Sequence, residues 1–488
     1  MPALDFTAPQ PLEAGDVVDG FKLEERLHQG GMANLWRVTH ADHHLPMIMK
    51  VPRIKGGEDP ATIVGFEVEQ MLLPMLQGVH VPKFIAKGDF TTRPYIVMEH
   101  IPGDSLRPRL DHAPVPIDEV ARMGALVATA LHDLHRQHVI HLDIKPSNIL
   151  FRRDALGRET QAVLCDFGLS RHDHLPDLLD EEFNLPMGTG PYMSPEQVQF
   201  VRSEPRSDLF ALGVMLYHFT TGQRPFGSPS SVRGLRERLY KEPIPPRQHR
   251  PDCPPWLQEI ILRCLEVDAA KRHPSAAHLA QDLLNPAQIK LTARAERAGT
   301  AGAVTQFKRW FKALGAEPSA RGSAGEQLKR APIIMAAVDV NGASQALLDL
   351  LTETVRRVVA AEPGARLACV SVMKTARIGI DELTDAQGQS LHVKQLIGLK
   401  HWARPLSQAL DLEEGRLTFH VLEAPDAAAA IVEFARRTQV DHVVMGARGN
   451  SAMRRYLGSV SSQVVAQADC TVTVVRVPAE QEADPASA

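Results

Sequence analysis

Three textures in the sequence predict a multidomain chain, an α+β part followed by an α/β doubly wound parallel-sheet part. From about Phe21 to Ile101 short strand-like runs surround one helical stretch, and from Asp118 to about Leu284 the pattern is mostly helical. After Ala331, continuous β runs alternate with helical stretches, which implies parallel strands covered on both faces. Between the two parts, residues 292–331 shift to Ala, Gly, Ser, Arg and Lys and read as a connecting segment.

The elements follow in order. Residues 1–15 are Pro-rich and expected to lack order. Met47–Lys50 reads as a strand carrying a lysine, and Phe66–Glu69 as part of the helical stretch after it. In Asp118–His138, Val120, Met123, Val127, Leu131 and Leu134 recur at helical spacing, with Asp118 and Glu119 in the first turn. Beyond Ala331, strands are expected at Ile333–Val338, Leu367–Val372, Leu417–Leu422, His442–Met445 and Thr471–Val477, and helices at Ser344–Ala361, Asp426–Thr438 and Ser459–Ala468. No internal repeat is visible.

Composition narrows the function classes. A length of 488 residues exceeds one typical domain. With 44% hydrophobic and 23% charged residues the chain is ordinary globular material. A net charge of −4 gives no global pull toward nucleic acid or membrane. No apolar run approaches the length of a membrane span, and the acidic, Pro-containing N-terminus does not read as a secretory signal. The five cysteines, with no C-x-x-C pair, fit free thiols in a reducing cytosol. His40, His43 and His44 read as a solvated turn rather than a metal site.

The chemistry concentrates in His141-Leu142-Asp143-Ile144-Lys145-Pro146-Ser147-Asn148, followed by Asp166-Phe167-Gly168. A hydroxyl is a poor nucleophile, and a carboxylate such as Asp143 orients it and takes its proton. Lys145, two residues on, balances charge on a migrating phosphate, and Asn148 and Asp166 supply hard oxygens for Mg²⁺. Lys50 has two rival acidic partners, Glu67 and Glu69, and the Phe-x-x-Glu spacing favours Glu69. Gly30-Gly31 follows a strand and lets backbone approach phosphates.

On these residues, about 20–284 resembles a bacterial eukaryotic-like (Hanks-type) Ser/Thr protein kinase. The ordered matches are Gly30, Lys50, Glu69, His141, Asp143, Lys145, Asn148, Asp166, Phe167, Gly168, Ser194-Pro195-Glu196, Asp208 and Arg272. The resemblance implies a bilobal fold with ATP between the lobes. It makes Asp143, Lys145, Lys50 and Glu69 catalytic, and Asn148 and Asp166 the ligands of Mg²⁺, with Mn²⁺ as the alternative. It places Gly30, Gly31, Leu35 and Lys50 over the nucleotide, Met98 as gatekeeper, the Glu99 carbonyl and Ile101 amide on adenine, and Asp104 near the ribose. It also implies a Glu196–Arg272 ion pair and an Asp208 that braces the catalytic loop. Three departures stand out. His28 and Ala33 replace two of the usual loop glycines, Leu142 replaces the usual Arg before Asp143, and no Ser, Thr or Tyr lies between Ser170 and Thr189. Acids, among them Asp177, Glu181 and Glu182, stand there instead. The expectation is a kinase not switched on by activation-loop phosphorylation.

Residues 331–478 carry Gly446-Ala447-Arg448-Gly449, then eight residues, then Gly458-Ser459 opening a helix, with Asp339 closing the first strand. This resembles the universal stress protein family, whose ATP-binding members imply a nucleotide site at Asp339, Val370, Gly446, Gly449, Gly458 and Ser459. The loop spacer is eight residues where that family has nine. The resemblance also implies a homodimer through the last strand.

The expected organisation is a disordered N-terminus at 1–15, a kinase domain at 16–285, a linker at 286–330, a stress protein domain at 331–478 and a tail at 479–488. Within the linker, Gln306–Leu314 mixes aromatics with bases and reads as a docking helix. Thr300, Thr305, Ser319 and Ser323 are expected autophosphorylation sites. The function read from all this is an ATP- and Mg²⁺-dependent Ser/Thr protein kinase, acting on proteins and on itself in the cytoplasm, and regulated or dimerised by the stress domain. Neither nucleic acid nor stable membrane insertion is expected. The alternative is a nucleotide-sensing scaffold with the same fold and no turnover.

Overall fold

The computed structural model describes residues 11–30, 33–54, 59–183, 185–299, 310–311, 331–362, 364–375, 384–385, 389–412, 415–447 and 458–477. Gly31, Gly449, Gln306–Lys308, Thr300, Thr305, Ser319 and Ser323 lie outside the described residues. Among the described residues no helix is long and apolar enough to cross a membrane.

The first part opens with strands β1 (Val17–Val18), β2 (Phe21–Gln29), β3 (Ala33–His40), β4 (His43–Pro52), β5 (Phe84–Gly88) and β6 (Tyr95–Glu99), joined in one antiparallel sheet of order β1-β2-β3-β4-β6-β5. Alternate residues of β2–β4, including Phe21, Leu23, Trp36, Val38, Met47 and Met49, form one apolar face. Helix α1 (Pro60–Leu72) packs against this lobe and starts at Asp59, whose carboxylate accepts from the Ala61 amide.

The second lobe is built on α2 (Ile117–Arg136). Its Val120, Met123, Val127, Leu131 and Leu134 are all buried, while Asp118 and Glu119 occupy the first turn where the helix dipole favours acids. The short strands β7 (Val139–Ile140), β8 (Ile149–Arg153), β9 (Glu159–Leu164) and β10 (Arg171–His172) bracket the catalytic loop as two antiparallel pairs, β7 with β10 and β8 with β9. Then come α3 (Leu178–Glu182), α4 (Pro195–Val198), α5 (Arg206–Thr221), α6 (Val232–Arg236), α7 (Pro246–His249), α8 (Pro255–Cys264) and α9 (Ala276–Leu284). Helix α5 is buried on nearly every side, so it reads as uniformly apolar rather than amphipathic. After α9 the chain stays on this lobe: the Glu259 carboxylate accepts from the Thr292 hydroxyl and the Ala295 amide.

The last part is a five-stranded parallel sheet of β11 (Ile333–Ala337), β12 (Arg366–Lys374), β13 (Leu417–Ala424), β14 (His442–Gly446) and β15 (Thr471–Val475), in the order β13-β12-β11-β14-β15. Helices α10 (Gln345–Ala361) and α11 (Leu391–Leu410) cover one face, and α12 (Ala427–Thr438) and α13 (Ser459–Gln467) the other. Strand β11 is continuously apolar because Ile334 and Ala336 enter one core while Met335 and Ala337 enter the other. All five predicted strands and all three predicted helices agree with the observed elements to within two residues at each end. Strands β12 and β13 each run two residues further than expected at their C-terminal ends, and α11 was not anticipated.

Candidate functional site

The cleft between the first two lobes gathers the motif residues. Lys50 lies on β4 and Glu69 on α1, and the Lys50 ammonium donates to Glu69 Oε2 at 2.5 Å and to Asp166 Oδ1 at 2.9 Å. Glu67, the rival, faces away from the cleft. Burial opposes the charge on Lys50, but Asp166 and Glu69 outweigh it and raise its pKa above the ordinary value. In return the Lys50 ammonium pulls the Asp166 carboxyl down to about 2.

Helix α1 reaches this position through a close backbone contact between two glycines. A Cβ on Gly65 would meet the Gly168 carbonyl oxygen at 3.0 Å, and one on Gly168 would meet the Gly65 oxygen at 3.1 Å. Phe167, 1% exposed, fills the space beneath α1. The sequence reading did not single out Gly65; a glycine inside a helix, four residues before the paired acid, was the available signal.

The catalytic loop is shaped from behind. The buried Asp208 carboxylate accepts the amides of His141 (2.9 Å) and Leu142 (2.8 Å) and contacts His135 Nε2 (2.9 Å). This holds Leu142 in the left-handed region, at φ 60°, and turns Asp143 into the cleft. Asp143 Oδ1 accepts from the Thr189 hydroxyl at 2.6 Å and its Oδ2 from the Lys145 ammonium at 2.6 Å. Lys145 also donates to the Thr189 hydroxyl at 3.1 Å, so Asp143, Lys145 and Thr189 form a closed triangle. Thr189 enters the sequence reading only as the end of the stretch without hydroxyl residues; its place on the Asp143 carboxylate emerges from the fold. Gln197, also missed, ties the segments together by donating to the carbonyls of Leu142 (2.8 Å) and Met187 (3.1 Å).

The donor set fits a hard divalent ion. Asn148 Nδ2 is held by the Asp143 carbonyl at 3.0 Å, which orients its oxygen away from that carbonyl. The Asp166 side chain is 41% exposed, so it keeps oxygen surface open to the cleft. Among the described residues no group of three or more His, Cys, Asp or Glu side chains could hold a metal alone. An ion here would take two protein oxygens and complete its shell with phosphate and water, as suits Mg²⁺.

At the cleft roof the Gly30 amide donates to the Ala33 carbonyl at 3.0 Å and Arg53 donates to the Gly30 carbonyl at 2.9 Å, closing the hairpin; Leu35 follows on β3. At the hinge, Met98 and Ile101 are buried, the Glu99 carboxylate is held by Arg152, and Asp104 is exposed. Deeper in the second lobe Arg272, 1% exposed, makes two bonds to Glu196, at 2.5 and 2.8 Å.

A second candidate site lies in the parallel-sheet part. Asp339, Val370, Gly446, Gly458 and Ser459 line one cavity of about 550 Å³ at the carboxyl ends of the strands. Its wall also holds Gly342, Lys374 and Ser461, which the sequence did not mark. Asp339 Oδ1 accepts the Gly342 amide at 2.9 Å, and the first amides of α13, left without a side-chain cap, lie at the cavity.

The comparisons agree with this geometry. The family described as Protein kinase domain matches residues 21–284, and the Universal stress protein family matches residues 332–476. The serine/threonine-protein kinase pkn3 of Myxococcus xanthus is 33% identical over 267 residues, covering 52% of this chain and 48% of the relative. PknB of Mycolicibacterium smegmatis is 29% identical over 322 residues, covering 62% of this chain and 50% of the relative. The chain thus spans about half the length of these curated relatives. The crystal structure of the Mycobacterium tuberculosis PknI kinase domain aligns at 22% identity with a TM-score of 0.45, over 56% of this chain and 99% of that domain. With more than half of its length matched by one family, the chain belongs to the protein kinase family and carries a universal stress protein domain C-terminal to the kinase domain.

Proposed function

We propose that the chain is an ATP-dependent protein serine/threonine kinase that passes the γ-phosphate of ATP to Ser or Thr hydroxyls of proteins, itself included. The observation that carries this is the Asp143–Lys145–Thr189 triangle standing in one cleft with the Lys50–Glu69–Asp166 ion cluster. Asp143 already holds a threonine hydroxyl at 2.6 Å, the contact by which it would orient a substrate hydroxyl and accept its proton. Lys145 neutralises charge beside that hydroxyl. Lys50, fixed by Glu69, grips the α- and β-phosphates, while Gly30, Gly31 and Leu35 cover the nucleotide and Glu99, Ile101 and Asp104 contact its base and ribose. Asn148 and Asp166 would hold Mg²⁺, which when bound would supply positive charge to neutralise the phosphates.

The test is phosphorylation by the purified chain with Mg²⁺ and γ-labelled ATP, beside Lys50→Met and Asp143→Asn. Label should appear in the wild type and fall by roughly 10²–10⁴ in Asp143→Asn. ATP binding without label in the wild type would replace this reading with the scaffold. The stress domain, on the same proposal, takes an adenine nucleotide in the Asp339 cavity and pairs two copies through β15, an exposed sheet edge. In the full chain with the kinase cleft blocked by Lys50→Met, adding Asp339→Ala should reduce bound ATP from one equivalent toward none, and sedimentation should show a dimer. The setting proposed is the cytosol, in keeping with five free cysteines.

A further inference from the structure

The stress domain is seated on the two kinase elements that assemble the cleft, α1 and α3. On α1, Glu69 points to Lys50 while Glu67, two residues earlier, pairs with Lys400 of α11 at 2.7 Å. Both side chains of that second pair are nearly buried, at 13% and 10% exposure, and the Lys400 ammonium sits 5.2 Å from the Phe90 ring centroid and 5.1 Å from that of Phe419. On α3, Glu181 takes a two-pronged grip from Arg366 of β12, both bonds 2.6 Å, and Glu182 meets His420 of β13 at 3.0 Å. Burial shifts Glu182 upward and His420 downward, each toward its neutral form.

The contact is also apolar. Val393, Leu396 and Ile397 of α11 join the same continuous core as Ile63 and Phe66 of α1. A Cβ at Gly415, before β13, would lie 2.6 Å from Leu175 Cδ2, so the Leu175 side chain lies directly against the Gly415 backbone. Leu178 and Leu179 of α3 in turn pack on Val64, Val68 and Leu72 of α1. Buried ion pairs of this kind add little net stability but fix one geometry, because each charge is costly without its partner.

We propose that the stress domain is an intramolecular clamp that holds α1 and the activation segment in the arrangement where Glu69 engages Lys50, and so activates the kinase in cis. The sign follows from the docked state, in which Lys50, Glu69, Asp166 and Phe167 are already assembled. The proposal rests on the kinase reading only for its activity readout.

The test uses the full chain with Lys400→Glu and Arg366→Glu, which reverse charges outside the catalytic machinery. Each should lower phosphorylation by about 5- to 150-fold, the usual range of coupling between sites. Each should also speed amide exchange across residues 60–72 and 178–182. The charge swaps Glu67→Lys with Lys400→Glu, and Glu181→Arg with Arg366→Glu, should restore both, which a merely misfolded variant would not do. Unchanged exchange in the single reversals overturns the clamp, whatever the activity. Faster exchange with raised activity overturns its sign. A catalytically silent wild type whose exchange still responds to the reversals would refute the kinase reading and leave the clamp standing.

Discussion

Replacing Asp208 with Ala tests whether one buried carboxylate shapes the catalytic loop. Asp208 is 1% exposed and accepts two backbone amides, from His141 and Leu142. Hydrogen bonds to a charged group contribute about 1.5–3 kcal/mol each, so losing both removes about 3–6 kcal/mol. The loop recovers part of this by releasing Leu142 from its left-handed conformation, which costs a branched residue about 1–2 kcal/mol. The net loss is then about 1–5 kcal/mol. For a domain of this size that corresponds to a fall in Tm of roughly 2–20 °C. The same release lets Asp143 drift, and a displacement of about 1 Å at a reacting group costs about 10²-fold in rate. Calorimetry of the full chain should show the kinase transition lowered, and steady-state assays should show kcat reduced with the KM for ATP little changed, since Lys50 and Asp166 do not touch Asp208. Asp208→Asn keeps one acceptor and should fall between the two. An Asp208→Ala protein that melts within a degree of wild type and retains its kcat would refute the reasoning.

Three further outcomes are expected. Arg272→Leu leaves Glu196 as an unpaired buried charge and should destabilise the fold by about 3–5 kcal/mol, visible as a lower urea midpoint, whereas Arg272→Leu with Glu196→Met should recover much of the loss. Burial pushes the thiols of Cys165 and Cys264 up to about 12 and that of Cys253 up to about 11, so iodoacetamide at neutral pH should leave all three unmodified in the native chain; rapid alkylation of the buried Cys264 would contradict this. Mass spectrometry of the active enzyme should find no phosphate on residues 171–188, which hold no hydroxyl side chain, and phosphatase treatment should leave the basal rate intact.

What the sequence disclosed depended on distance along the chain. Residues that work within one loop, such as Asp143, Lys145 and Asn148, announce themselves by spacing, and the choice of Glu69 over Glu67 followed from a four-residue pattern. Helix α11 escaped detection for a physical reason. It buries Leu399, Trp402, Ala403 and Leu406 against its own sheet and Val393, Leu396 and Ile397 against the kinase, so its apolar stripe is too broad for a simple period, and Gly398 and Pro405 read as breakers. Pro405 lies inside the helix, where its missing N–H forfeits one i→i−4 hydrogen bond. The partners of Glu67, Glu181 and Glu182 were invisible because each lies far along the chain, in a second domain. Thr189 and Gln197 were legible as residue types but not as contacts, since only the fold brings them to Asp143 and Leu142.

The two departures noted in the activation segment have one structural account. Leu142 leaves no arginine beside Asp143 to receive a phosphate, and the segment offers no hydroxyl to carry one. Fixed acids are anchored where such a phosphate would otherwise impose order. Asp177 binds Arg202 at 2.7 Å and also caps α3 by accepting the Asp180 amide, while Glu181 binds Arg366. A carboxylate cannot be removed by a phosphatase, so an order built on it is constitutive unless its partner can leave. Arg202 belongs to the kinase domain and cannot leave, but Arg366 belongs to the stress domain and can. On the clamp proposal, control of the segment passes from a covalent mark to the docking of a domain, and Glu181→Gln, which weakens one anchor without burying a new charge, should make activity depend more steeply on whatever loosens that docking.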